Sequence, residues 1–285
     1  MSSIDPGFKV CALIGHPVSH SLSPAMHNAG FEALGLPLVY VAHDVAPGKA
    51  PEAIRAARSL GYRGLSVTIP HKVAALECMD EVDATARAIG CINTVVNDEG
   101  RLVGYNSDGR GALGALRQAG ADPRGRRVVV LGSGGAARAI AMTIAVEARP
   151  ADLVLLGVVP EELDRLGRDA AAHMGADVRA RALDAATLAA ALLDAEILIH
   201  CTPIGMHPQS AQSLVPPERL GPGLVVFDVV YNPRRTKLLR DADAAGCRVI
   251  SGVEMFLGQA LVQFELWTGR SAPADVMRCV LEERL

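Results

Sequence analysis

Apolar residues in this chain come in short runs, separated by longer stretches in which they recur at helical spacing. Runs at 10–15, 39–45, 64–69 and 92–97 predict strands, and helices are predicted to begin near Ser23, Pro51, His71 and Val82. A second series starts after Arg126, with strands predicted at 127–131, 152–156, 196–201, 224–230 and 247–250 and helical segments between them. Parallel strands need a crossover connection that is usually a helix, so this alternation predicts an α/β protein with largely parallel sheets. The five strands of the second series suffice for one compact domain. The apolar helical stretch GVEMFLGQALVQFELW is expected to carry the chain back to the first.

Composition narrows the function more than the fold. A chain of 285 residues, half of them hydrophobic, exceeds one small domain and can bury two cores. No apolar run approaches the length of a bilayer span, and the start MSSIDPGFKV has no basic region followed by an apolar stretch, so the expected location is cytoplasmic. A net charge of −3 without a basic stripe argues against nucleic acid or a membrane surface as partner and leaves small molecules, with a monomer or homodimer as the expected state. The six cysteines form no CxxC pair and lie mostly in apolar runs, which predicts reduced core thiols. His16, His20 and His27 are close in sequence but lack acidic or cysteine partners at ligand spacing, so no metal is expected.

The segment GSGGAARA at 132–139 directly follows a predicted strand and opens an alanine-rich helix, the context a dinucleotide fingerprint requires. Gly132 would permit the tight turn and Gly134 the approach of a pyrophosphate, while Ala137 keeps helix close to strand. Ser133, Gly135 and Ala136 complete the loop and helix start, whose amides would bind phosphate. This makes residues 108–252 a Rossmann-type NAD(P)-binding domain, inserted into an α/β domain of residues 1–107 plus 253–285. Gly109 and Gly252 are the expected hinges. The next strand ends in Gly157-Val158-Val159-Pro160, with Glu161 and Glu162 just beyond. Acidic groups there would repel a ribose 2′-phosphate, so the expectation leans to NAD over NADP.

In the first domain, Ser23 reads as a helix N-cap, Pro24 as the first helical residue and Gly35 as the terminator. Ordinary capping is the plainer account of Ser23, although Ser21 and Ser23 could together cradle a carboxylate at the positive end of the helix. Lys72, at the predicted start of the helix after GLSVTIP, has its charged form opposed by the helix dipole and by any burial, which suits proton transfer. Asp108, in GYNSDGRG, is a candidate partner for it in a cleft between domains.

The ordered set SLSP, SVTIPHK, GCINTVV, GYNSDG, GSGGAARA, YNPRRTKLL and GVEMFLGQALVQFELWTG resembles the shikimate/quinate dehydrogenase family over nearly the whole chain. The resemblance implies NAD(P)-linked, reversible oxidation of shikimate to 3-dehydroshikimate, with quinate as a second substrate. It further implies that Lys72 and Asp108 form the catalytic pair and that Ser21 and Ser23 bind the substrate carboxylate. Thr68, Asn93 and Gln259 would hold ring hydroxyls, Tyr231 would lie near substrate or nicotinamide, and Met255 would face the nicotinamide. Departures from the family pattern are GVVPEE where NADP-using members show an Asn-Arg-Thr-like motif, Cys91 in place of a small residue, and GMHPQSAQSLVP, which is closer to the quinate/shikimate branch. A cofactor-binding regulator without turnover, or a dehydrogenase of an aminated analogue, are the alternatives. Retention of both Lys72 and Asp108 argues against the regulator.

Overall fold

The computed structural model describes residues 7–174 and 178–285, so the first residues of the MSSIDPGFKV stretch lie outside the described ones. The chain divides into two compact units, Met1–Ser107 with Gln259–Leu285, and Asp108–Gly258. The second crossing falls inside a helix, a few residues beyond the expected boundary after Gly252, because that helix runs unbroken from Gly252 to Thr268.

In the first unit the order is β1 (Lys9–Gly15), α1 (Ser23–Ala33), β2 (Leu38–Asp44), α2 (Ala50–Ser59), β3 (Gly64–Val67), α3 (Lys72–Leu76), β4 (Glu81–Val82), α4 (Ala84–Ile89), β5 (Thr94–Asp98) and β6 (Arg101–Tyr105). The sheet order is β2-β1-β3-β5-β6-β4. It is mixed: β1 pairs parallel with β2 and β3, but β5 runs antiparallel to both β3 and β6. The sequence reading omitted the two-residue β4 and also β6. Its hairpin places Glu99 and Gly100 at positive φ, with the Gly100 amide donating to Asn97 Oδ1, and a glutamate in that conformation hides the usual Asn-Gly or Asp-Gly turn signal. Asp83 caps α4 by accepting from the Thr85 and Ala86 amides, and Gly90 ends it in the left-handed region.

The second unit continues with α5 (Ser107–Gln118), β7 (Arg127–Leu131), α6 (Gly135–Thr143), β8 (Asp152–Gly157), α7 (Pro160–Met174), β9 (Val178–Ala182), α8 (Ala185–Leu192), β10 (Ile197–His200), β11 (Val225–Asp228), α9 (Lys237–Ala244) and β12 (Arg248–Ser251). Then α10 (Gly252–Thr268) and α11 (Ala274–Glu282) end the chain. Among the described residues six strands, not five, pair all in parallel in the order β12-β11-β10-β7-β8-β9. The additional strand, β9, is an edge strand of sequence VRARA, and charged side chains protect such an edge while erasing the apolar run that would announce it. Gly109 and Gly252 are explained by packing rather than by backbone freedom. A Cβ on Gly109 would lie 2.0 Å from Thr143 Oγ1, and one on Gly252 would lie 2.3 Å from the Val229 carbonyl oxygen.

The C-terminal part of α10 locks the first sheet. Trp267, 1 % exposed, donates from Nε1 to the Val95 carbonyl at 3.0 Å, and Gly64 must be glycine because a Cβ would sit 2.1 Å from that nitrogen. Arg63 reinforces the contact, donating to the carbonyls of Trp267 and Asn97. His27 is fully buried beside this indole, stacked on Tyr40 with ring centroids 4.6 Å apart, and neither ring nitrogen has a hydrogen-bond partner. Burial therefore pulls its pKa down to about 3, only partly opposed by the nearby Gln263 amide.

Among the described residues no group of three or more His, Cys, Asp or Glu side chains could hold a metal. His16 instead pairs with Asp44 at 2.6 Å. None of the six cysteines is in a disulfide, but they are not all core residues: Cys11 and Cys247 are buried, Cys78, Cys91 and Cys201 are half-buried, and Cys279 is exposed. No described helix is long and apolar enough to cross a membrane.

Because folding lowers the His27 pKa, the unfolded chain binds a proton that the native state refuses between pH 6.5 and about 3. The associated stability is complete above pH 6.5 and is lost on acidification, by roughly 1 kcal/mol per pH unit. The variant His27→Phe should flatten this acid limb of a denaturant-derived stability profile by about one proton. An unchanged slope would show that His27 does not titrate on unfolding.

Candidate active site

The loop after β3 positions two of the expected side chains through the backbone. Thr68 donates its amide to the Ile14 carbonyl and accepts from the His71 amide, both at 2.9 Å, which turns the chain into α3 with Lys72 as its first residue. Gly15 makes room for this turn, since a Cβ there would lie 2.2 Å from Thr68 Cγ2. The Ile92 amide then donates to the Lys72 carbonyl at 3.1 Å, bringing Asn93 next to the start of α3.

Asn93, 3 % exposed, is held by a one-way chain of hydrogen bonds. The Tyr40 hydroxyl donates to Ser66 Oγ at 2.7 Å, Ser66 to Gln263 Oε1 at 2.9 Å, and Gln263 Nε2 to Thr94 Oγ1 at 3.1 Å. Thr94 donates to Asn93 Oδ1 at 2.8 Å, and Asn93 Nδ2 donates to Ser107 Oγ at 3.0 Å. The Ser107 amide returns to Asn93 Oδ1 at 2.7 Å, which fixes which way the amide faces. Burial pushes the Tyr40 phenol well above its usual pKa, with bonds to Ser66 and Ser23 opposing, so it stays a neutral donor.

Ser23 joins this group, but not as an N-cap. Leu22 occupies the cap, Ser23 is the first helical residue, and no side chain caps α1. Its amide instead donates to Ser21 Oγ at 3.3 Å, so the two serines sit together at the helix start. Gln259, 8 % exposed, lies one helical turn before Gln263. Thus Ser21, Ser23, Thr68, Lys72, Asn93 and Gln259 all belong to the first unit.

In the second unit, the order of strands reverses between β7 and β10, the switch point at which open parallel sheets bind ligands beyond their carboxyl ends. The glycine loop opens there. Gly132 has φ +113°, a conformation that side chains disfavour, and Ala137 is fully buried. Gly134 and Gly135 face open space: a Cβ on either would meet nothing within 4 Å. The protein's own packing therefore does not require them to be small. Ser133 Oγ donates to Glu162 Oε2 at 3.2 Å, so a carboxylate borders this loop, while Val158 is 75 % exposed.

Asp108 stands in the first turn of α5. Tyr231 stacks on Phe256 with centroids 5.2 Å apart, and Met255 precedes that phenylalanine on α10. The groove bounded by Ala115, Gln118, Arg234, Leu239 and Ile250, of about 430 Å³, contains none of the expected site residues.

The residues that sequence reasoning missed are the supports, Tyr40, Ser66 and Gln263. The available signals were polar side chains inside apolar segments: Ser66 in GLSV, and Gln263 four residues after Gln259 on an otherwise apolar helix.

Comparison with known proteins supplies the deciding observation. The chain is 45% identical to the shikimate dehydrogenase (NADP(+)) of Methanopyrus kandleri over 285 residues, 99% of this chain and 98% of that one. It belongs to the shikimate dehydrogenase family. Residues 13–95 match the shikimate dehydrogenase substrate binding domain and residues 252–282 the shikimate 5′-dehydrogenase C-terminal domain. The shikimate 5-dehydrogenase of Listeria monocytogenes, solved with shikimate and NAD, superposes with a TM-score of 0.94 at 31% identity, covering 99% of both chains. The quinate dehydrogenase of Corynebacterium glutamicum, solved with NAD, gives a TM-score of 0.87 at 29% identity, covering 97% of this chain and 99% of that one. Both matched shikimate dehydrogenase segments overlap the first unit, where the hydrogen-bonded serines and Asn93 lie.

The two kinds of glycine in the loop should separate on substitution. Gly132→Ala is expected to cost about 1–2 kcal/mol of stability because of its positive φ, whereas Gly135→Ala, at a helix start with free space, should be neutral or slightly stabilising. Guanidinium denaturation of the two variants checks this.

Proposed function

We propose that this family member catalyses the reversible, dinucleotide-linked oxidation of shikimate to 3-dehydroshikimate. The observation that carries the reading is the 45% identity to the Methanopyrus kandleri enzyme across 99% of the chain. Quinate is the second substrate in the proposal, supported by the likeness to the Corynebacterium glutamicum quinate dehydrogenase.

In this reading the start of α1 receives the substrate carboxylate through Ser21 and Ser23, where short hydroxyl donors and the helix dipole both favour an anion. Thr68, Asn93 and Gln259 bind ring hydroxyls. The chain of donors from Tyr40 to Ser107 occupies Asn93 Oδ1 and prevents the amide from flipping, so the second Nδ2 hydrogen is the one left for a ring hydroxyl. The proposal assigns Lys72 the proton on the reacting hydroxyl, and Asp108 the orientation of the lysine together with a hydrogen bond to substrate. Tyr231, steadied by Phe256, and Met255 border the nicotinamide.

The bound dinucleotide would supply the acceptor for the hydride leaving the carbinol carbon. Gly132 through Ala136 would hold its pyrophosphate, a role that the open space at Gly134 and Gly135 fits. An unprotonated Lys72 amine would take the hydroxyl proton while the dinucleotide takes the hydride, so the oxygen–hydrogen and carbon–hydrogen bonds would both break as the carbonyl forms.

Relatives carry NADP(+) in their names, as in Methanopyrus kandleri, which does not support the sequence-based lean to NAD, and the Listeria monocytogenes structure holds NAD. Both dinucleotides accordingly stay in the proposal. The carboxylate of Glu162 beside the glycine loop is the local charge that bears on the choice. A cytoplasmic location belongs to the same reading and agrees with six cysteines outside any disulfide.

Initial rates of nicotinamide reduction, with shikimate and quinate each crossed with NAD and NADP, test the activity directly. Turnover of either acid is expected, and silence with all four pairs would overturn the reading. The variant Lys72→Ala should lose turnover by about two orders of magnitude or more while its dinucleotide Kd stays within about twofold. Unchanged turnover would remove Lys72 from the proton path. Glu162→Gln should lower KM for NADP severalfold relative to NAD, and an unchanged ratio would exclude its carboxylate from cofactor discrimination.

A further inference from the structure

At the carboxyl ends of β10 and β11, two ionisable residues are paired out of contact with water. His200 and Asp228 are cross-strand partners in register, 1 % and 0 % exposed, and His200 Nδ1 lies 2.9 Å from Asp228 Oδ1. The other atoms of the pair are committed as well. Asp228 Oδ1 accepts from the Val230 amide at 3.1 Å, and Oδ2 accepts from the Thr236 hydroxyl at 2.5 Å. Thr236 is in turn the N-cap of α9, accepting from the Leu239 amide. On its far side, His200 Nε2 lies 2.6 Å from Thr202 Oγ1, which accepts from the Ile204 amide.

A carboxylate can only accept, so Nδ1 of His200 carries the proton that faces Asp228, while Nε2 is the ring atom bonded to the Thr202 hydroxyl. The imidazole thereby bridges two loops that follow adjacent strands: Thr202–Gly205 after β10 and Val229–Tyr231 after β11. The first of these loops abuts the glycine loop. Cys201 donates its amide to the Leu131 carbonyl at 2.8 Å, and its own carbonyl oxygen would lie 3.2 Å from a Cβ on Gly132. All of this occurs beside the switch point between β7 and β10. Burying such a group costs several kcal/mol unless every polar atom is paired, and an apolar residue at this position would avoid that cost.

We infer that His200 is a positioning residue for the dinucleotide: through Asp228 and Thr202 it sets the two loops that wall the cofactor site beside Gly132. The inference rests on the reading that the glycine loop binds a dinucleotide. Its effect falls on dinucleotide affinity, because the loop after β10 is bonded to Leu131, the residue that leads into the glycine loop.

Two conservative variants divide the bridge. Asparagine places an amide nitrogen near the Nδ1 position, so His200→Asn keeps donation to Asp228 and gives up Thr202. Glutamine reaches the Nε2 position, so His200→Gln keeps an acceptor for Thr202 and gives up Asp228. Thr202→Val removes the same link as His200→Asn from the other end. Val128→Ala, a core truncation at the start of β7, serves as a control for general loss of stability. Calorimetric titration with NAD and with NADP, without substrate, reads Kd, and thermal unfolding reads Tm. His200→Asn and Thr202→Val should each weaken binding of the dinucleotide that the protein prefers by about three- to tenfold, the scale of one or two hydrogen bonds. The double variant should bind no more weakly than either alone, and His200→Gln should bind more tightly than His200→Asn. Val128→Ala should lower Tm with Kd unchanged. Wild-type binding with unaltered Kd in His200→Asn, or with additive losses in the double variant, would overturn the inference alone. A wild-type protein binding neither dinucleotide would overturn the cofactor reading and this inference with it.

Discussion

The first unit depends on a segment from the far end of the chain. Gln263 and Trp267, neighbours on α10, both bond across to β5 or its entry: Gln263 to the Asn93 carbonyl and Thr94, Trp267 to the Val95 carbonyl. Each bond satisfies a buried group that would otherwise cost about 1–3 kcal/mol, and the indole also fills the space that Gly64 leaves. Without that helix, the polar chain from Tyr40 to Ser107 loses its middle member. The ordered amide of Asn93 and the seat of α10 are thus one constraint, and it explains why glutamine and glycine stand in the middle of an otherwise apolar core.

Much of this was legible in the chain. The alternation of apolar runs with helical periods gave the positions of most strands, and GSGGAARA after RVVVL located the loop at the switch point. What the pattern hid has physical causes. An edge strand such as β9 alternates arginine with small residues, and β6 enters through a turn in which Glu99 takes a conformation usually left to glycine or asparagine. Ser23 illustrates a finer limit: a serine before proline at a helix start has the look of a cap, yet the helix begins one residue earlier and no side chain caps it. Supports such as Ser66, Gln263 and His200 escape because their meaning lies in partners far away in sequence.

The two units handle buried polarity differently. In the first, a relay of neutral hydroxyls and amides carries no charge, and Tyr40 is kept protonated by its surroundings. In the second, a carboxylate is taken to 0 % exposure and compensated by an imidazole, a threonine and a backbone amide. Three donors converge on one side chain, which can therefore hold loops that differ in sequence around it. The apolar clusters surrounding it, built on Val129, Leu131, Leu198 and Val226, exclude the water that would compete for those donors.

The interrupted first unit also carries a consequence for biosynthesis. A ribosome releases β1 to β6 long before α10, and the whole of the second unit emerges in between. Until Gln263 and Trp267 appear, the slot at Gly64 and the carbonyl of Val95 stay uncovered on a sheet whose other strands are already available. The inserted unit is contiguous and can complete itself first, as domains do during synthesis, while its host waits for its last helices. Nascent chains stalled before α10 therefore present an apolar, hydrogen-bonding gap, the kind of surface that chaperones recognise, and the last turns of the polypeptide close it.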